Sequence, residues 1–189
     1  TAKPHFSIDK IIADAGLNNL HITDGGSIII NPVTKEIVKK HLINSLIAQQ
    51  VITTFLNENI YTEFYTVNDY FIQQNQISKI TDQHQHILQK PPQLVSSLAE
   101  EAISQQITKI MPIAKNESAK IRLSKLFQPF TEKLTLSWGV HPVALPLQFG
   151  IITAPGISKK QGAIDISKTE QVPFENILGV GDSISDWQF

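Results

Sequence analysis

The sequence predicts a two-part α/β protein: an open parallel sheet built from both ends of the chain, with an α+β unit inserted between them. Three observations predict it. The ends, residues 1–26 and 149–189, alternate helical and extended patterns, as the strands and covering helices of a parallel sheet do. The middle, 27–148, sets paired extended segments among helices, with no Pro/Gly linker on either side. A chain of 189 residues that is 41% hydrophobic can bury one sizeable core or two small ones.

Taken in order, Ser7 can cap a short helix over 8–15 whose Ile11, Ile12 and Ala15 share a face, with Gly16 placed to end it. An extended stretch at 21–23 meets Asp24-Gly25-Gly26, a turn that glycine frees for positive φ. Residues 27–30 and 36–39 flank Asn31-Pro32 and predict a hairpin. Over 41–56, Leu42, Ile43, Leu46, Ile47, Val51 and Phe55 recur at helical spacing. Residues 60–67 are rich in β-branched and aromatic side chains and predict a strand, with 69–72 as its partner across Asn68. The glutamine-rich stretch 73–92, stopped by Pro91-Pro92, predicts a loop with short elements. A helix follows from Ser96 or Ser97 to 104. A strand over 107–114 is demoted towards an edge by Pro112, which cannot donate to a ladder. Asn116 can cap a helix over 117–127, and 134–138 and 143–152 predict strands. A helix over 159–169 leads to an apolar strand, 177–180, that ends in Gly181-Asp182.

Composition narrows the function. With 16 basic and 17 acidic side chains the net charge is −1, which excludes the basic surface needed to track a nucleic-acid backbone. No apolar run approaches the roughly 20 residues that cross a bilayer, and the amino end lacks the pattern of a secretory leader. The absence of cysteine removes disulfides, thiolate metal sites and cysteine nucleophiles, and fits a cytoplasmic protein. The chain opens on Thr1 rather than Met and closes on Phe189 just after an acidic motif, so both ends are expected to be cut.

The sharpest motif is Gly179-Val180-Gly181-Asp182-Ser183-Ile184-Ser185-Asp186. An apolar strand there delivers two carboxylates to its carboxyl end, the edge at which open α/β sheets bind ligands. Carboxylate oxygens are the hard ligands that Mg²⁺ prefers; the same residues also fit a turn that caps the next helix. Upstream, Lys159 and Lys160 open a helix that Ser158 can cap, where a lysine could face phosphate or lie in solvent. His84 and His86 would share one side of a strand and could hold a metal there, or lie in a polar loop. His5, His21, His41 and His141 have no partners at ligand spacing.

The order lysine, helix, apolar strand, Gly-Asp resembles the last two motifs of haloacid dehalogenase (HAD)-type phosphatases, in particular the Cof-like group with a type II cap. The matching residues are Lys159 after Gly156-Ile157-Ser158, then Gly181, Asp182, Ser183, Ser185 and Asp186, with Ser185 where the family has Asn. Thr1-Ala2-Lys3-Pro4 is similar to the end of the family's second strand, where Thr-Gly-Arg is common. Asp24-Gly25-Gly26 before Ile28-Ile29-Ile30-Asn31-Pro32 resembles the passage into the cap. The resemblance implies an incomplete HAD-like Rossmannoid sheet (1–26 and 149–189) and an α+β cap (27–148). It implies a Mg²⁺-dependent hydrolase of a small phosphorylated metabolite such as a sugar phosphate. Asp182 would bind the metal with Asp186 in support, Lys159 would hold the phosphate, and Thr1 would bind phosphoryl oxygens. Lys159 is preferred to Lys160 because it places Ala163 and Ile166 on the core side of the helix. Trp138 and His141 are candidates for the cap's substrate-facing side, with core or rim as the other placement.

The family's nucleophile is an Asp of an Asp-x-Asp motif on a strand expected before Thr1, and the sequence contains no Asp-x-Asp. Loss of that strand is expected to leave open sheet edges and apolar surface, which would suit pairing with a second copy. Two other readings stand beside the enzyme. One is a truncated relative that binds without turnover; the other is a generic α/β domain in which Gly181-Asp182 is only a turn.

Overall fold

The computed structural model describes residues 1–177. They form a small antiparallel sheet, a large mixed sheet and six α-helices. The small sheet has the order β1 (His21–Thr23), β2 (Ile28–Ile30), β3 (Ile37–Lys40). The large sheet contains β4 (Tyr61–Tyr65), β5 (Tyr70–Gln73), β6 (Gln93–Val95), β7 (Lys109–Ala114), β8 (Thr135–Val140) and β9 (Gln148–Thr153), in the order β6-β5-β4-β7-β9-β8. Among the described residues parallel pairing is confined to β5 and β6. The strand expected to end in Gly181-Asp182 lies outside them from residue 178 on. No helix among the described residues is long and apolar enough to cross a membrane.

Several elements follow their local signals closely. Helix α2 (Ser45–Asn57) starts three residues later than its apolar period, because the Asn44 side chain accepts from Leu46 N (3.0 Å) and Ile47 N (3.2 Å). Helix α4 (Leu98–Ser104) is capped by Ser97 and α5 (Glu117–Phe127) by Asn116. Helix α6 (Lys159–Thr169) is capped by Ser158. Helix α1 (Asp9–Asp14) differs: Ser7 ends a preceding 3-10 turn and gives its hydroxyl to Pro4 O, so Ile8 stands at the cap position. The expected helical face is also thinner, since Ile12 is buried while Ile11 is exposed.

The glutamine-rich segment expected as a loop contains a helix, α3 (Lys79–Leu88). Ser78 and Thr81 form a reciprocal capping box, and Ile80, His84 and Leu88 bury one stripe at four-residue spacing. The histidine in that stripe broke the apolar pattern and hid the helix. Pro112 brings a second correction, because β7 is central rather than at an edge, pairing with β4 on one side and β9 on the other. The β9 residue facing Pro112 is Gly150, whose missing Cβ would sit 3.0 Å from Pro112 Cγ. A glycine opposite the ring is what lets a proline into mid-sheet.

Strand alternation divides the large sheet into two faces. One packs Phe64, Ile110 and Ile152 against Val51, Phe55, Leu98, Leu123 and Phe127 of α2, α4 and α5. The other carries Tyr65, Met111, Phe149 and Ile151 and is covered by Ile80 and Leu88 of α3, with Ala2 and Phe6 packed beside them. Sheet membership differs from the expected division of the chain at 27 and 148. The β2–β3 hairpin bonds to β1 in the small sheet, and β9 completes the large one. The connections therefore fall near residues 41–44 and 154–158, because the β2–β3 hairpin adds to the strand it follows and β9 inserts between β7 and β8.

Candidate active site

The amino-terminal segment runs beside β1. Thr1 donates its amino group to Ile22 O (2.9 Å), Gly25 N donates to Thr1 O (3.0 Å), and Asp24 N donates to Lys3 O (3.0 Å). The Thr1 hydroxyl accepts from Lys3 N at 3.2 Å. The turn that follows β1 takes positive φ at Asp24 (53°), Gly25 (73°) and Gly26 (113°). A Cβ on Gly26 would lie 2.2 Å from Ser158 O, so glycine lets this turn press against the residue that caps α6. Gly162 in α6 also meets Ile22 of β1 closely, with 2.8 Å to the Ile22 methyl from its absent Cβ. These two contacts carry the start of α6, and with it Lys159, up to the end of the amino-terminal segment.

Thr1 and Lys159 consequently line the same cleft, of about 350 Å³, with the β4–β7–β9 face of the large sheet as the opposite wall. Lys160 is exposed. The core side of α6 is Gly162 and Asp165, both buried, whereas Ala163 and Ile166 are half-buried. Helix and sheet approach too closely there for the larger side chains to take the inner positions. Asp182 and Asp186 lie outside the described residues.

The sheet wall holds polar groups that the sequence reading did not single out. Lys109, fully buried on β7, donates to Ala2 O (2.9 Å), lies 3.3 Å from Asp24 Oδ1, and sits 3.9 Å over the Tyr65 ring. Burial pushes the Asp24 carboxyl up and the Lys109 ammonium down, and each opposes the other's shift by attraction. Thr23 donates to Asp24 Oδ2 at 3.1 Å. Next to them Glu63, also fully buried, accepts from the Tyr65 hydroxyl (2.6 Å) and lies 2.9 Å from His84 Nδ1. Burial first, and then Glu63, push the Tyr65 phenol well up, so it stays a donor. The available signal was a Lys opening an apolar strand and a Glu in the middle of a largely apolar, aromatic one, on the same alternation as Met111 and Tyr65.

His84 therefore serves the sheet. On a helix it and His86 point apart, the one buried and the other exposed, so the two hold no metal together. His141 lines the cleft, and its imidazole is held below its usual range by burial and by Lys3 and His84. Trp138 packs on the opposite face of the sheet, against the α2–α4–α5 core, because it falls on the other alternation of β8. His41 lies 3.3 Å from Asp165, which Lys39 also approaches at 2.9 Å. Burial works against the Asp165 charge, but Lys39, Gln161 and His41 outweigh it and hold the carboxyl below its usual range. Among the described residues no three His, Asp or Glu side chains converge to hold a metal ion.

The cleft thus presents Lys3 and Lys159 beside a wall in which Lys109 is already paired with Asp24 and Glu63 is bonded to Tyr65, a field that suits an anion. The fold is shared with solved proteins. No curated protein matches the chain. A haloacid dehalogenase-like hydrolase from B. subtilis superposes with a TM-score of 0.78 at 20% identity, over 98% of this chain and 70% of that one. A second haloacid dehalogenase-like hydrolase, from Bacteroides thetaiotaomicron, gives 0.79 at 13% identity, over 98% and 68%. The HAD subclass IIB sugar phosphatase BT4131 gives 0.69 at 18%, over 92% and 62%. The chain spans between 62% and 70% of these structures' own lengths, and at such identities the likeness is one of fold. The sequence pattern of haloacid dehalogenase-like hydrolases, by contrast, matches residues 1–189. By that match over its whole length, the chain belongs to the haloacid dehalogenase-like hydrolase family.

Proposed function

We propose that this chain is the greater part of a phosphate-monoester hydrolase acting on a small phosphorylated metabolite such as a sugar phosphate. The observation that carries this reading is the meeting of Thr1 and Lys159, from opposite ends of the chain, in one lysine-rich cleft. Lys159 neutralises phosphoryl oxygens at the start of α6, and the Thr1 hydroxyl binds one of them. Lys3 adds positive field, and the apolar Met111, Phe149 and Ile151 exclude water from the body of the substrate. The solved sugar phosphatase of the same fold supports a sugar as that body.

The donor set of Asp182 and Asp186, two carboxylates on one motif, fits a hard divalent ion such as Mg²⁺. Bound there, the ion would polarise a phosphoryl oxygen. Buried Asp24, tied to Lys109 and Thr23, takes no part in it. In the family reading the attacking group is an Asp of an Asp-x-Asp motif, which the sequence does not contain. A second reading is a module that binds phosphate esters without turning them over.

Hydrolysis of an aryl phosphate with and without Mg²⁺ decides between them. Turnover by a longer polypeptide that includes an Asp-x-Asp strand, and none by this chain, makes the chain a piece of an enzyme. No turnover by either sinks the hydrolase.

A further inference from the structure

Lys109 lines the cleft, yet its charge is engaged inside the protein. An ammonium has three N–H donors. Around this one stand Ala2 O at 2.9 Å, Asp24 Oδ1 at 3.3 Å and the face of Tyr65, 3.9 Å from the ring centroid. A phosphate that drew the ammonium into the cleft would leave the Asp24 carboxylate buried and unpaired, a costly state. Whatever Lys109 contributes to ligand binding therefore passes through the groups it holds.

Those groups belong to two separate pieces of backbone. Ala2 sits between Thr1 and Lys3, whose carbonyls accept from Gly25 N and Asp24 N of the turn after β1, both at 3.0 Å. Ala2 O instead accepts from Lys109. The same ammonium pairs with the Asp24 side chain, so one group joins the amino-terminal segment to the turn. The segment carries Thr1. The turn carries Gly26, which packs without a Cβ against Ser158 O at the start of α6 and so sets the place of Lys159. Both residues of the phosphate lip are thus reached from one side chain of the sheet wall.

Resting on the phosphate-ester reading of this cleft, we infer that Lys109 is a positioning residue. It clamps the Thr1–Lys3 segment to the Asp24–Gly26 turn, and so holds Thr1 and Lys159 at the spacing that phosphate binding requires, without touching phosphate itself. Because Lys109 stands on β7, the wall that receives the body of the ester and the lip that receives its phosphate are fixed to each other.

The test uses this chain with inorganic phosphate as the probe and two double variants of equal charge. Lys109→Met with Asp24→Asn removes the buried pair and the donor to Ala2 O. Lys109→Gln with Asp24→Asn removes the pair but can still offer an N–H to Ala2 O. In calorimetric titrations the Met variant should bind phosphate about 3- to 10-fold more weakly than wild type, the worth of one hydrogen bond's order in the segment. Its Gly25 amide, the donor to Thr1 O, should exchange with solvent faster, while the amides of the β4–β7 ladder keep their wild-type protection. The Gln variant should recover part of both effects. Wild-type affinity with unchanged Gly25 exchange in the Met variant overturns the inference. An affinity loss accompanied by a uniform rise in exchange across the ladder overturns it too, since that is general loosening. Absence of phosphate binding by the wild-type chain overturns the phosphate reading itself, and this inference with it.

Discussion

Gly26→Ala is the sharpest perturbation of the site's frame. The residue takes φ 113°, a conformation L side chains rarely adopt, and its Cβ would stand 2.2 Å from Ser158 O, 2.5 Å from Ser158 C and 3.2 Å from Lys159 N. The backbone strain costs about 1–3 kcal/mol. The overlap is with main chain and not with a flexible side-chain end, so the turn and the start of α6 must separate by roughly 1 Å, at a further cost of about 1–3 kcal/mol. Gly16→Ala is the control: its φ is +64° and nothing lies within 4 Å, so it carries only the backbone cost, about 1–2 kcal/mol. Urea unfolding followed by tryptophan fluorescence should therefore place Gly26→Ala about 2–3 kcal/mol below Gly16→Ala, taking the middle of each range. The movement also takes Lys159 away from Thr1, so calorimetry should show weaker binding of inorganic phosphate in Gly26→Ala and ordinary binding in Gly16→Ala. Equal stability of the two variants, with phosphate binding intact in both, would refute the claim that this contact positions Lys159.

Three further outcomes are expected. Lys109→Met leaves Asp24 buried without its partner and should cost about 3–5 kcal/mol, of which the double variant with Asp24→Asn recovers more than half; additive losses in the cycle would contradict the pairing. Asp165 has a folded carboxyl pKa below its unfolded value, so its contribution is complete above the unfolded pKa and is lost as pH falls through the folded one. The urea midpoint of Asp165→Asn should lie below wild type at neutral pH and converge with it in acid; a gap that persists in acid would show that the charge is not responsible. In a longer polypeptide that turns over aryl phosphates, Asp182→Asn should abolish the Mg²⁺-dependent rate, and a retained rate would remove Asp182 from the metal site.

Much of the architecture was legible because its signals are local. Asn116 and Ser158 cap the helices they were expected to cap, and the Asp24-Gly25-Gly26 turn uses the positive φ that its glycines allow. The failures share one cause: a position's meaning was set by a residue distant in sequence. Pro112 reads as an edge signal until Gly150 is known to face it across the ladder. The helix over Lys79–Leu88 reads as a loop because its central inward residue is a histidine, which only Glu63 makes tolerable inside. Lys159 and Thr1 were brought forward by their motifs, and the two line one cleft. Lys109 was not, and His84 was read only as a metal or loop residue, since a polar side chain announces burial only when its partner is known. The partners here, Asp24 and Glu63, stand far away along the chain.

The cleft's composition also fixes when in folding it can exist. Lys109 reaches back 107 residues to bond Ala2 O, and the opposite lip waits for Lys159. Closing loops of that length precedes any reward from the contacts they bring, so this is slow, late-forming structure. The β4–β5 hairpin and helix α2 form from near neighbours, but a growing polypeptide cannot present both lips until its synthesis has passed residue 159. Acquisition of phosphate binding during refolding would thus trail the gain of helical signal, and the delay between them would measure how long the two ends of the chain take to find each other.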